Sequence, residues 1–144
     1  LKGVDSTKRV SSAKLGPGAT IVIKEKIMTH GHQTAETSFD VSLDGAGSSA
    51  KLISRSVARD FSRQLFRSKI IGNTDCYGHS ECDAIIMDNG VVAAEPEIIA
   101  NHVDASLVHE AAIGKIAGDQ LVKLMTLGLT EKEAEAQIIN GFLK

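Results

Sequence analysis

A chain of 144 residues with a formal charge of −2 and 42% apolar residues has room for one domain with its own core. Sixteen Lys and Arg are offset by eighteen Asp and Glu, tryptophan is absent and there is one tyrosine. That balance excludes a basic field for nucleic acid and an aromatic platform for stacked bases. The longest apolar runs, such as Ile21-Val22-Ile23, are too short to span a membrane, and no charged segment leads into an apolar one as in a secretion signal. Two cysteines do not make a disulfide framework, so a reducing cytoplasm is the expected compartment. The chain opens on Leu1, which reads as a fragment, a processed product or a missing start.

The first hundred residues predict many short strands. Thr20 to Ile27 is β-branched and follows a Gly16-Pro17-Gly18 turn signal. Phe39, Val41 and Leu43 alternate with Ser38, Asp40 and Ser42, the pattern of a half-buried strand. Residues 44–49 form a Gly- and Ser-rich turn. Lys51 to Asp60 alternates again, with Ile53 and Val57 expected on the face away from Arg55 and Arg59. Ser68 to Ile71 and Ala84 to Met87 are further short apolar runs. Repeated strands without long helices allow a sandwich, a barrel or a β-helix, and no strict repeat motif selects one.

The tail changes period. Leu121, Leu124, Met125 and Gly128 share a helical face, and Gly128 is placed to end that helix in the left-handed conformation. Thr130 and Glu133 have capping-box spacing for a second helix, on which Ala134, Ile138 and Phe142 recur every four residues. The helices are expected over Asp119 to Leu127 and Glu131 to Phe142. They could simply cap the open end of the strand stack, as solenoids need.

Candidate ligands are few. Cys82 stands in Glu81-Cys82-Asp83, ahead of an apolar strand, and a thiolate is a metal ligand; the plainer reading is a small buried hydrophobe. His109 and Glu110 adjoin each other, but neighbours on a strand face opposite ways. They can share an ion only if that segment turns, so Glu110 ranks below His109. Cys76 and Cys82 are six apart, roughly 20 Å along a strand, and could chelate together only if Tyr77-Gly78-His79 makes a turn; otherwise Cys76 is a loop cysteine. His30-Gly31-His32 reads as an exposed turn, His79 and His102 have no motif, and Arg55, Arg59, Arg63 and Arg67 read as solvated strand and turn positions. Phosphate-binding loops, nucleophile elbows and His-Glu-x-x-His are absent. Glu36, Asp40 and Asp44 are the only clustered carboxylates for a glycosidase, with no motif to support one.

The tail Leu107-Val108-His109-Glu110-Ala111-Ala112-Ile113-Gly114-Lys115-Ile116, with Asp119-Gln120-Leu121, Gly128-Leu129-Thr130-Glu131 and Ile138-Ile139-Asn140-Gly141-Phe142, resembles the C-terminal end of the SufB/SufD family of iron–sulfur cluster assembly subunits. Ser80 to Ile86 resembles the segment that carries a cysteine needed for cluster building in SufB. The resemblance covers residues 45–144. It implies a right-handed parallel β-helix-like core, drawn here at 1–106, followed by a helical region at 107–144. It implies that the chain is the C-terminal part of a longer subunit and a scaffold rather than an enzyme. The scaffold would build a transient iron–sulfur cluster on Cys82 and His109, with Glu110 as a lesser ligand. Its partners would be a SufC-type ATPase, a second copy or a SufB/SufD-type partner, and acceptor apo-proteins. Two departures from SufB stand out. Residues 90–100, running from Gly90 to Ala100, lack its second cysteine and histidine and look more like SufD, and Val108 replaces a glutamate. The alternative implied is a SufD-like structural subunit that binds the ATPase and holds no cluster.

Overall fold

The computed structural model describes residues 3–144. Eight strands follow one another: β1 (Ser6–Leu15), β2 (Thr20–Thr29), β3 (Thr34–Leu43), β4 (Ser48–Ala58), β5 (Arg63–Gly72), β6 (Cys76–Ile86), β7 (Val91–Ala100) and β8 (Ala105–Gly114). Odd strands form one parallel sheet in the order β1-β3-β5-β7, and even strands form a second, β2-β4-β6-β8. Each strand thus pairs with the one a full turn away, and the chain winds a parallel β-solenoid of four turns, as the family resemblance implied. The turn is 28 or 29 residues: Ser6 faces Thr34, Thr34 faces Arg63 and Arg63 faces Val91. No residue type recurs strictly at that spacing inside the strands, which is why no repeat is visible in the sequence.

Alternation decides what is inside. Phe39, Val41 and Leu43 point into the core as their pattern predicts, joined by Leu15, Leu52, Phe66 and Ile70. On β4 the buried set includes Ala50, Leu52, Ser54 and Ser56, so Ile53, Arg55, Val57 and Arg59 share one parity and one outer face. This corrects the expected separation of Ile53 and Val57 from the arginines. Val57 was misleading because it is also fully buried, covered from outside by the tail. One interior polar cluster is paired within the core: Thr29 Oγ1 donates to Ser62 Oγ at 2.8 Å, and Gln64 Nε2 donates to Thr29 Oγ1 and to the Val57 carbonyl, both at 2.9 Å.

The corners are held by ladders as well. Gly3, Gly31, Asp60 and Asp88 sit at successive turns, all with positive φ. Asp is one of the few non-glycine residues that visit this region, and here the side chains bond between turns. The Gly31 N–H donates to Asp60 Oδ2 at 2.7 Å and the Asp60 N–H to Asp88 Oδ2 at 3.2 Å. At another corner Asn101 Nδ2 donates to Asn73 Oδ1 at 2.7 Å, and Asn73 Nδ2 to Asp44 Oδ1 at 2.6 Å.

Strand β8 runs to Gly114, so the helical region begins at Gly118 rather than at 107. Helix α1 is Gly118–Thr126 and α2 is Glu131–Phe142. Gly128 has φ +93°, and the Thr130–Glu133 capping box is complete. The buried side of α2 is Ala134 and Ile139 rather than a stripe through Ile138. Ile139, Phe142 and Leu143 pack on Val57, Ile85 and Met87, and Glu135 lies 3.9 Å from Arg59. The tail therefore covers the flank of the even-numbered sheet; it does not cap the end of the stack. No helix among the described residues is long and apolar enough to cross a membrane.

Gly45 tests the tightness of the winding. A Cβ there would lie 2.0 Å from the Pro17 nitrogen, whereas one at Gly16 would meet nothing within 4 Å. Gly45→Ala should lower stability by about 1–3 kcal/mol or more, read as a lower urea midpoint. Gly16→Ala should leave the midpoint within about 0.5 kcal/mol of the parent.

Candidate functional site

Cys82 lies in β6, whose inward positions are Cys76, Gly78, Ser80, Cys82 and Ala84. Its side chain is 1% exposed. Pairing with β4 sets it beside Ser54, and pairing with β8 sets it beside Ala111. One turn further back, Glu25 faces Ser54. Glu25 is a buried carboxylate held by Arg9 and by hydroxyls donated from Thr37 Oγ1 and Ser54 Oγ, each at 2.9 Å. Burial, with the negative charges of Asp83 and Glu25, pushes the Cys82 thiol up to about 11. At neutral pH the residue is a thiol inside the solenoid.

His109 stands on the inward face of β8, opposite Ser80. The Ser80–Cys82 spacing therefore makes His109 and Cys82 diagonal neighbours on one face of the even-numbered sheet. Strand spacing and rise put their backbone positions roughly 8 Å apart. Burial holds the His109 imidazole below its usual range against the opposing pull of the Ser80 backbone, so the ring is neutral at pH 7. Its Nδ1 is buried without a hydrogen-bond partner. A neutral imidazole is the form that binds metal.

Glu110 lies on the other side of the sheet. Residues 105–114 are a regular strand, so His109 and Glu110 face opposite ways and do not form one donor set, which corrects their grouping. Glu110 Oε2 instead meets His79 Nε2 at 3.3 Å and stands beside Glu81. Burial and a hydrogen bond with Glu81 raise the Asp83 carboxyl above the usual range. His79, passed over for want of a motif, owes this contact to the turn spacing alone.

Cys76 is the first residue of β6 and is buried, not a loop cysteine; Tyr77-Gly78-His79 continues the strand. The two thiols face the same interior but are separated by six strand residues, too far to chelate one ion. His30 and His32 lie at an exposed corner, as expected, with His32 stacked on Phe61 at 5.4 Å between ring centroids. Asp44 and Glu36 belong to surface ladders, Lys8 and Arg67 pairing with Glu36 and the Ser42 and Asn73 side chains with Asp44, while Asp40 is exposed on β3. No group of three or more His, Cys, Asp or Glu among the described residues is arranged to hold a metal. Cys82 and His109 are inward-facing neighbours across β6 and β8.

The raised Cys82 pKa has a direct readout. At pH 8 the native chain should take up iodoacetamide slowly at Cys82, while the urea-unfolded chain should be fully alkylated, as peptide mass spectrometry would show. The folded state binds this proton more tightly than the unfolded state. Its contribution to stability is thus complete below about pH 8.5 and lost as the pH rises toward 11. Rapid native alkylation at pH 8 would contradict this placement.

Comparison with known proteins completes the picture. The model of the SUF system FeS cluster assembly SufBD core domain matches residues 1–142. Curated relatives bear the name iron–sulfur cluster assembly SufBD family protein. One from Archaeoglobus fulgidus is 31% identical over 146 aligned positions, covering 100% of this chain and 39% of its own length. One from Pyrococcus horikoshii is 35% identical over 132, covering 91% and 40%. One from Methanothermobacter thermautotrophicus is 39% identical over 105, covering 72% and 26%. The chain thus spans between a quarter and two fifths of the length of these relatives. A four-turn solenoid with a helical tail, matched along almost its whole length by the SufBD core, belongs to the SufBD family of iron–sulfur cluster assembly proteins.

Proposed function

We propose that the chain serves cluster assembly as a scaffold subunit whose nascent cluster is held at the last turn, with Cys82 and His109 as donors. The observation that carries this is their position as diagonal neighbours on one inward face, on the two strands nearest the free edge of the even-numbered sheet. A cluster needs about four thiolates or their substitutes, so a second chain, a copy or a SufB/SufD-type partner, would supply the rest. Binding requires the Cys82 proton to leave and the last turn to open. Both costs favour a cluster that is released readily to an acceptor apo-protein.

On this reading the chain is not itself an enzyme, and ATP is hydrolysed by a SufC-type partner. Support for a docking role comes from α1, which buries none of its residues and leaves Val122 and Met125 exposed, as is Leu127 at its C-terminal end. A chain ending at Gly118 should lose the ATPase in a pull-down; undiminished capture would remove the tail from the docking surface.

Anaerobic reconstitution with iron and sulfide, followed by absorbance, tests the donors. Cys82→Ser should abolish cluster absorbance, Cys76→Ser should retain most of it, and His109→Ala should weaken retention without removing it. The second reading, a SufD-like subunit without a cluster, is favoured by the sealing of Cys82 and the raised pKa of its thiol. Iron and labile sulfide bound equally by the parent and Cys82→Ser would decide for that reading.

A further inference from the structure

We propose that Ser80, backed by Ser68, is the positioning residue for His109: its hydroxyl holds the ring Nδ1 and leaves Nε2 as the nitrogen open to a ligand. The effect on iron rests on the reading of His109 as a donor; the hydrogen bond itself does not. Three inward-facing residues carry the inference. His109 on β8 stands directly opposite Ser80 on β6, and adjacent strands lie about 4.8 Å apart. The His109 Nδ1 is buried and has no hydrogen-bond partner among the described residues. Ser80 is 1% exposed, and its Oγ meets the Ser68 Oγ at 2.8 Å inside the solenoid.

The direction of the hydroxyl pair follows from counting hydrogens. Two hydroxyls share one hydrogen bond, so one hydrogen is spare. Ser68 stands between Phe39 on β3 and Pro96 on β7, side chains that offer no oxygen or nitrogen acceptor. If Ser80 donated, the Ser68 hydrogen would face these two rings. Ser68 therefore donates, and the spare hydrogen sits on Ser80. Ser80 stands between Leu52 on β4 and His109 on β8. Of these two side chains only the imidazole accepts. The hydroxyl of Ser54, two residues along from Leu52, is already committed to Glu25. A small turn of the ring closes the bond and satisfies two buried groups at once. In the empty chain the ring is then the Nε2–H tautomer. With a ligand on Nε2 the ring proton lies on Nδ1, and the same hydroxyl accepts it, because a hydroxyl serves in either direction. Groups that hold the second nitrogen of a ligating imidazole fix its orientation.

The test begins without metal. Nitrogen NMR of the isotope-labelled full chain at neutral pH, with His109 assigned by its loss in His109→Gln, should show Nδ1 as a nitrogen that accepts a hydrogen bond. Ser80→Ala should shift that resonance to the position of a free acceptor, and Ser80→Thr, which keeps the hydroxyl, should restore it. An unchanged Nδ1 resonance in folded Ser80→Ala overturns the proposal. So does a shift in Cys82→Ala but not in Ser80→Ala, which would make the diagonal thiol the partner. Should Ser80→Ala not fold, Ser68→Ala/Ser80→Ala leaves no stranded hydroxyl and should give the same shift. After anaerobic reconstitution with iron and sulfide, Ser80→Ala should lose iron to a chelator about tenfold faster than the parent, and Ser80→Thr at the parent rate. Equal loss from Ser80→Ala and the parent, with His109→Ala still weakened, overturns the positioning role. Full retention by His109→Ala, with the Nδ1 shift as expected, removes His109 from the donors and leaves the Ser80 bond standing.

Discussion

Everything in this molecule depends on the parallel backbone ladder between residues 28 or 29 apart. No strand has a hydrogen-bonded neighbour within its own turn, so a single turn satisfies none of its own ladder. Each one borrows its order from the turns before and after, and side chains follow: Leu52 is buried because Ile23 and Ser80 flank it in neighbouring strands. Among the described residues, the last turn leaves β7 and β8 without a hydrogen-bonded neighbour on one side.

The same ladder explains the arrangement at the last turn. Strand alternation parts His109 from Glu110, although they are adjacent in sequence, and turn spacing brings His109 near Cys82, 27 residues away. Neighbours in one short motif land on opposite surfaces, while residues from two motifs share an interior. The interior itself is not a pure hydrocarbon core. The column Glu25–Ser54–Cys82–Ala111 steps from a carboxylate to a hydroxyl, a thiol and a methyl group. The carboxylate is tolerated because Arg9, Thr37 and Ser54 surround it.

Local elements were legible where the physics is local. Phe39, Val41 and Leu43 alternate against one buried face, so parity alone read them. The capping box at Thr130 and the left-handed Gly128 depend on residues within a few positions. What escaped was set by contacts a turn or more away. Val57 is buried by α2 and not by its own strand pattern, so its outer-face position was misread. Cys76 looked like a loop residue because Gly78 breaks the apolar alternation; the glycine is there because a Cβ would meet Leu107 and Ile70. The strand β8 was joined to the helices because residues 107–116 match the family as one block, though the backbone changes state only after Gly114. Cys82 was open to two readings, a ligand from its context and a small buried hydrophobe; its burial matches the second, and neither carried its raised pKa.

The corner ladder of Gly31, Asp60 and Asp88 has a consequence for how such a chain can change length. Each side-chain bond between turns ties one corner to the same corner of the next, and so fixes where a turn begins. One residue added inside β4 beyond Ser48 would throw Leu52 and Ser54 to the surface and bring Arg55 into the core. The corner beyond would no longer meet its partner. Even the exposed bend at 16–19 is tied to the next turn, where the Gly18 N–H donates to the Ala46 carbonyl at 2.9 Å and Pro17 crowds Gly45. Changes of length in this solenoid are therefore confined to whole turns, and the aspartates act as its reading frame.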